Sequence, residues 1–454
     1  MDIASSLKLI SDAVWGWPLL LFVVGMSVVW TIALGGVQFR CLGRAFGSIF
    51  TGGGSAGGNI SPRQAFVNTL SANMGNGGFA GMAVATKLGG PGAAFWVVIV
   101  GFLTMALRFA EVYTSTEYGK NAPAGTTLGG PMLYLRDAIG GPVLAYVYAI
   151  FALMFGFSVG NALQANQITV SLAKTFNFAV GTELYLMPLI DQLFYGCMAG
   201  GLFLFVLYIV FGGAERVAKA SDMIVPLKVG LFFIPSIALL VYHYASVWSA
   251  LKLIVISAVN PEALLGGLFG FTVQQAFRIG LDRSILATES GIGTAAILFG
   301  FTGSKDAFSS GLMGMLSTFI STLVCFLVVL CIVASGVWQV DLTGNALNIA
   351  AFETLFGPYA GGLVSFLSIS FGVGLLVTYS YVMRAVWMFL TGGRWVHGFN
   401  ICYSLCALFG AVASVGVVFD IGSLASAGLL AINLFGLLCL MPKIAPKVRA
   451  SLCG

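Results

Sequence analysis

Residues 71–81 read SANMGNGGFAG, an apolar stretch in which four glycines, Gly75, Gly77, Gly78 and Gly81, alternate with the amides Asn73 and Asn76. Residues 282–293, DRSILATESGIG, make a second interruption after the apolar run that ends at Phe277. Glycine inside a helix costs about 0.5–1 kcal/mol relative to alanine and frees backbone groups that hydrocarbon cannot satisfy. In a membrane such a break persists where the backbone lines a cavity. Two breaks at similar positions in the two halves of a chain are the pattern from which inverted-repeat transporters build a midplane site, half-helix N-termini facing a carboxylate and freed carbonyls facing a cation. The alternative for either segment alone is close helix packing through small residues.

The residues around these breaks make the hydrocarbon setting firm. The chain is 59% hydrophobic and 8% charged, against about 25% charged for a soluble domain, and no soluble surface can be built from so few charges. Runs of the roughly 20 apolar residues that a spanning helix needs occur near 15–36, 66–88, 93–116, 142–172, 194–212, 225–247, 264–287, 311–334, 363–390, 399–418 and 421–441. The reading is an all-α polytopic membrane protein of about eleven transmembrane helices. The first run is read as a retained span, not a cleaved leader. Residues 52–58, glycine-rich with Ser55, read as a flexible spacer.

The formal charge of +5 is scattered through the gaps between runs, which is a topology signal and no nucleic-acid footprint. Arg40, Arg44, Arg63, Lys120, Arg136, Arg216, Lys219, Lys305, Arg394, Lys443, Lys447 and Arg449 fall on one side by alternation, and Lys8, Lys87, Lys174 and Lys252 on the other. The positive-inside rule then predicts an outside N-terminus and an inside C-terminus. The eight cysteines show no metal-ligand spacing and read as reduced packing residues. Only His243 and His397 are available, neither in an HExxH pattern, so metal-assisted hydrolysis lacks ligands. With no GxxxxGK[ST] loop there is no ATP-driven pump, and the chain reads as a transporter, not an enzyme.

Arg278, Asp282, Arg283 and Glu289 cluster on the seventh run. Charges embedded in a membrane cost about 2.5 kcal/mol or more, so they are paired or functional. Asp282 and Arg278 have helical i, i+4 spacing, and the cluster reads either as a coupling site or as an ion-pair network at the mouth. Arg108 and Glu111 read as a structural pair. Asn161, Gln164 and Gln167 form a polar stripe on the fourth run, suited either to holding an ammonium and a carboxylate or to hydrogen bonding between helices.

SANMGNGGFAG, GGPGAAFW (89–96), RFAE (108–111), GGPM (129–132), GNALQAN (160–166), the loop GGAERVAKASDMIVP (212–226) and ATESGIGTA (287–295), in this order, resemble the alanine or glycine:cation symporter family, over residues 13–441. The resemblance implies a five-plus-five inverted-repeat core of the amino-acid, polyamine and organocation type. Residues 1–60 would hold one extra N-terminal helix and a cytoplasmic loop, 61–250 the first repeat, and 251–454 the second repeat and tail. It implies symport of alanine or glycine with sodium, or in some members protons, by a monomer in the plasma membrane of a prokaryote, with no other cofactor. By motif position Gly75, Asn76, Gly77 and Gly78 would be the unwound part of the first core helix, followed by Phe79. Gln164 would face substrate, and residues 277–280, with Phe277 and Ile279, would break the sixth core helix. Candidate ion-coupling groups are Asn73, Ser321, Asp282 and Glu289, with Asn73 and Gly77 as candidate sodium ligands. The chain departs from the family's GTGN at Gly75–Gly78, from its FxDT at Phe319, Ile320, Ser321 and Thr322, and from a Ser-Thr pair at Gly374 and Leu375. Ile279 replaces an aromatic that caps the pocket.

Overall fold

The computed structural model describes residues 10–11, 13–51, 58, 60–119, 129–176, 178, 187–259, 273–413 and 415–453. The spacer at 52–58 therefore lies outside the described residues save for Gly58, as does the start of the run expected at 264–287. Among the described residues the only regular structure is helical. The helices are α1 (Trp17–Ala33), α2 (Val37–Arg40), α3 (Leu42–Thr51), α4 (Pro62–Asn73), α5 (Asn76–Gly89), α6 (Gly92–Gly119), α7 (Pro131–Asp137), α8 (Pro142–Thr175), α9 (Leu189–Phe211) and α10 (Gly213–Tyr242). There follow α11 (Tyr244–Val259), α12 (Val273–Thr288), α13 (Thr294–Gly300), α14 (Ala307–Ala334), α15 (Asn345–Phe356), α16 (Ala360–Thr391), α17 (Val396–Val412) and α18 (Val415–Cys453).

Local sequence explains where these helices start. Pro62 occupies the first turn of α4, and Ser61 and Gln64 close a reciprocal cap: the Gln64 N–H donates to Ser61 Oγ at 3.1 Å and the Ser61 N–H to Gln64 Oε1 at 3.0 Å. Asp306 caps α14 by accepting from the Ser309 N–H at 3.0 Å. Seven helices among the described residues are long and apolar enough to cross a membrane. Helices α1 and α17 are apolar but shorter, and the pairs α4/α5 and α12/α13 are interrupted.

α6 and α14 pack against each other at the centre of the bundle and are mostly buried. α9 and α10 lie outside and turn Leu204, Leu227, Ile234, Ile237 and Val241 outward, as a lipid-facing surface requires. Arg449 donates to the carbonyls of Ile32 and Ala33, and Lys447 pairs with Glu117 at 2.8 Å. The ends of α1, α6 and α18 thus meet at one end of the bundle.

One expectation fails in the fold. The stretch 212–226, expected as a loop, is the start of a 30-residue helix. Its charges suit an exposed helical turn, with Lys219 and Glu215 paired at i, i+4 and 2.8 Å.

Candidate functional site

The first break is short. α4 ends at Asn73, Met74 leaves helical geometry (φ −89, ψ 64), Gly75 is extended, and α5 starts at Asn76. The unwound part is therefore Met74 and Gly75, while Gly77 and Gly78 belong to the first turn of α5 rather than to the unwound stretch expected over Gly75–Gly78. Breaking the helix orphans backbone carbonyls, and each needs a partner. Ser71 and Met74 carbonyls accept from Lys228 Nζ at 2.8 and 3.2 Å, and the Asn73 carbonyl faces Ser321 Oγ at 3.5 Å.

The second break lies at 289–293 and not at 277–280. α12 runs unbroken through Phe277, Ile279 and Gly280. Gly280 serves close packing instead, because a Cβ there would lie 2.7 Å from the Trp96 Cβ. Phe277 stacks on Trp17 and meets Trp96 edge to face, and Ile279 packs beside Gly89. Helix geometry stops at Glu289, a non-glycine residue held at φ 50, and Gly291 and Gly293 follow at φ 93 and 96. Side chains of this type at positive φ persist only where the surroundings hold them. Glu289 Oε1 accepts from the Tyr379 hydroxyl at 2.6 Å and Oε2 from Thr294 Oγ1 at 2.8 Å.

The freed carbonyls of this break are likewise partnered. Arg108 donates to Thr288, Asn433 to Gly291 at 2.8 Å, Tyr148 to Ile292 at 2.8 Å, and Ser321 Oγ to Ala287 at 3.0 Å. Arg108 also pairs with Glu111 at 3.4 Å, both side chains fully buried, and Asn433 bridges to Glu111 at 2.7 Å. This agrees with a structural pair and adds its purpose, which is to hold the second break.

Both breaks open onto one cavity of about 90 Å³, small beside the roughly 300–1,000 Å³ of sites for drug-sized ligands. Asn73, Gly75, Gly77 and Gly78 line it from the first break, Ala287 and Glu289 from the second, and Gln164 and Leu375 from the flanking helices. α8 reaches it through a π turn, Ser158–Ala162, a feature frequent at functional sites. The turn frees the Val159 carbonyl, which accepts from Gln164 Nε2 at 3.1 Å, while Gln164 Oε1 accepts from Asn76 Nδ2 at 3.4 Å. Asn73 Oδ1 is buried with no hydrogen-bond partner among the described residues.

Of the residues expected at a site, the cavity brings together Asn73, Gly75, Gly77, Gly78, Gln164 and Glu289. Asn76 is one layer back, donating to the Ser368 carbonyl at 3.1 Å and accepting from Ser368 Oγ at 2.8 Å. Ser321 stands behind the wall and joins the breaks. Phe79 is packed between Phe232 and Phe371. Phe277, Ile279 and Asp282 are absent from the cavity wall, and Asp282 pairs with its neighbour Arg283 at 3.6 Å. Asn161 donates to the Tyr403 carbonyl at 2.8 Å, which makes it an interhelical bond.

The sodium:alanine symporter family matches residues 1–450. The chain belongs to that family. This transporter is 31% identical to an uncharacterized transporter of Haemophilus influenzae, over 99% of this chain and 96% of that one. It is 28% identical to the sodium/alanine symporter AgcS of Methanococcus maripaludis, over 99% and 97% of the two chains. A probable sodium/glutamine symporter of Bacillus subtilis, GlnT, is 28% identical over 95% and 87%. The transporter is thus a multi-pass membrane protein of an amino acid and cation symport family, and not an enzyme.

Sequence reasoning missed four groups of the transporter that hold the breaks: Lys228, Tyr148, Asn433 and Tyr379. Lys228 had a readable signal, a lone charge inside an apolar run with Ile224, Val225, Leu231 and Phe232 at helical neighbour positions. Tyr148, Asn433 and Tyr379 reach the second break from helices far away in sequence, and nothing local marks them.

Proposed function

We propose that the protein is a secondary-active symporter of a small neutral amino acid, of the size of alanine or glycine in either hand, moved together with a cation by alternating access. The observation that carries this reading is that both helix breaks line one small cavity that holds the unpaired Asn73 Oδ1. The first turn of α5 offers backbone N–H groups and the positive end of a helix dipole to a substrate carboxylate. Asn73 Oδ1 and nearby carbonyls suit an ammonium. The cavity leaves little room for a long side chain, which favours alanine or glycine over glutamine. On this reading the eleven spans comprise one extra helix and two repeats of five, at 61–250 and 251–454. The N-terminus is outside, the C-terminus inside, and the carrier is a monomer in a prokaryotic plasma membrane.

Proteoliposomes holding the purified protein are expected to exchange labelled glycine, L-alanine or D-alanine for unlabelled substrate inside, saturably. A channel would show no such counterflow, and absence of exchange with all three would sink the proposal. Gln164→Ala removes the bond to the Val159 carbonyl and the partner of Asn76. Loss of about 1–1.5 kcal/mol of hydrogen bonding is expected to raise the half-saturating concentration roughly tenfold. An unchanged value would remove Gln164 from the site.

A further inference from the structure

Lys228 stands on the buried stripe of α10, with Val225 and Phe232, opposite the outward-facing Leu227 and Ile234. Its side chain is fully buried. Nζ donates to the Ser71 carbonyl at 2.8 Å, to Ser71 Oγ at 3.1 Å and to the Met74 carbonyl at 3.2 Å, and the Phe371 ring centroid lies 5.9 Å away. Among the described residues no carboxylate lies within ion-pair distance of it. A buried ammonium normally meets a carboxylate. This one meets the oxygens that the first helix break sets free.

Gly374 completes the arrangement. A Cβ at that position would lie 2.8 Å from Lys228 Nζ and 2.9 Å from Ser71 Oγ, and Ser71 Oγ donates to the Gly374 carbonyl at 3.1 Å. Position 374 is where the family resemblance places one hydroxyl of a Ser-Thr pair. The hydroxyl is gone, and the ammonium fills the space beside it. Sodium takes oxygen ligands, but here the oxygens already accept from a cation whose three donors match them in number. A metal ion at the same oxygens would sit against a like charge.

We propose that the Lys228 ammonium is a tethered replacement for the coupling cation at the first break, so that this symporter is driven by protonation of Lys228 and not by sodium bound there. This rests on the symport reading above. On the entry side the amine takes one proton from water, and the resulting ammonium ties α10 to the carbonyls of Ser71 and Met74. When the break opens to the other side, water reaches Nζ and accepts the proton, so one proton crosses with each substrate. Among the described residues, none of the hydrogen bonds of Lys228 goes to a titratable group of α10 or of an element packed against it. Asp222, on α10 itself, accepts from Gln64, Tyr379 donates to Glu289, Cys331 faces the Ser236 carbonyl, Cys325 lies beside Gly78, and Arg63 is exposed.

The test uses the full chain in proteoliposomes and in detergent. An inward pH gradient in sodium-free choline buffer is expected to drive accumulation of labelled L-alanine or glycine above equilibration, and adding sodium is expected to change nothing. Lys228→Met is expected to lose the response to the pH gradient. A strict sodium requirement in the wild type, or a full pH response in Lys228→Met, overturns the proposal. Thermal unfolding judges it without transport: replacing choline by sodium is expected to leave the wild-type Tm unmoved, and a sodium-dependent rise overturns it. Lys228→Ala combined with Gly374→Ser, which vacates the ammonium's place and returns a hydroxyl, is expected to gain such a rise; no gain means that the ammonium does not stand where a cation would. Absence of counterflow in the wild type would defeat the symport reading, while the unfolding measurements would still decide whether Lys228 excludes sodium.

Discussion

Arg108→Ala is expected to destabilise the protein by about 3–5 kcal/mol, the cost of removing one member of a buried ion pair. Arg108 and Glu111 are fully buried together, and Arg108 also donates to the Thr288 carbonyl, the last residue of α12 before the break. Truncation leaves the buried Glu111 without its cation and the Thr288 carbonyl without its donor. Both penalties fall at the second break, so transport fails together with folding. Unfolding of purified variants in detergent, followed by circular dichroism, measures the loss. A loss under about 1 kcal/mol would mean that the pair does not hold the break. Glu111→Gln keeps the shape and the acceptor oxygen, and is expected to cost less than the arginine truncation.

Gly293→Ala is the second large effect. Gly293 has φ 96, where an L side chain is strained by about 1–3 kcal/mol. Its Cβ would also lie 2.3 Å from the Tyr148 hydroxyl and 2.6 Å from Pro131 Cγ. Tyr148 cannot yield freely, because its hydroxyl donates to the Ile292 carbonyl at 2.8 Å. Moving it exposes that carbonyl, a further cost of about 1–3 kcal/mol. The variant is expected to express poorly and to lose exchange of labelled alanine. Gly81→Ala is the control: a Cβ there meets nothing nearer than Arg283 Nη1 at 3.6 Å, and it is expected to behave as wild type.

The membrane class and the two breaks were legible because hydrocarbon makes glycine-rich interruptions conspicuous. Read from the residues, the interruption at 282–293 took in the right place: Gly291 and Gly293 turn the chain there. Placing the break by motif position moved it to 277–280, where Gly280 is needed only for contact with α6. A glycine that opens a helix and one that lets a neighbour approach look alike in sequence, and only the backbone torsions separate them. Gln164 was legible as one of three spaced amides, but spacing could not tell it from Asn161, which bonds the Tyr403 carbonyl. The departures at Ser321 and Gly374 were visible as losses. The group that stands beside Gly374 was not, because Lys228 comes from another helix, 146 positions before it.

The π turn in α8 has a consequence for the whole length of that helix. One extra residue in a turn advances the side chains by about 100°, the angle each residue occupies in a helix. The stretch before Ser158 and the stretch after Ala162 therefore present different sequence faces to the same neighbours. α8 behaves as two phases of one rod, spliced at the depth of the cavity. Deleting a single residue between Phe157 and Leu163 would turn the wide turn into an ordinary helical one, keeping both stretches against their neighbours but closing the turn whose Val159 carbonyl accepts from Gln164.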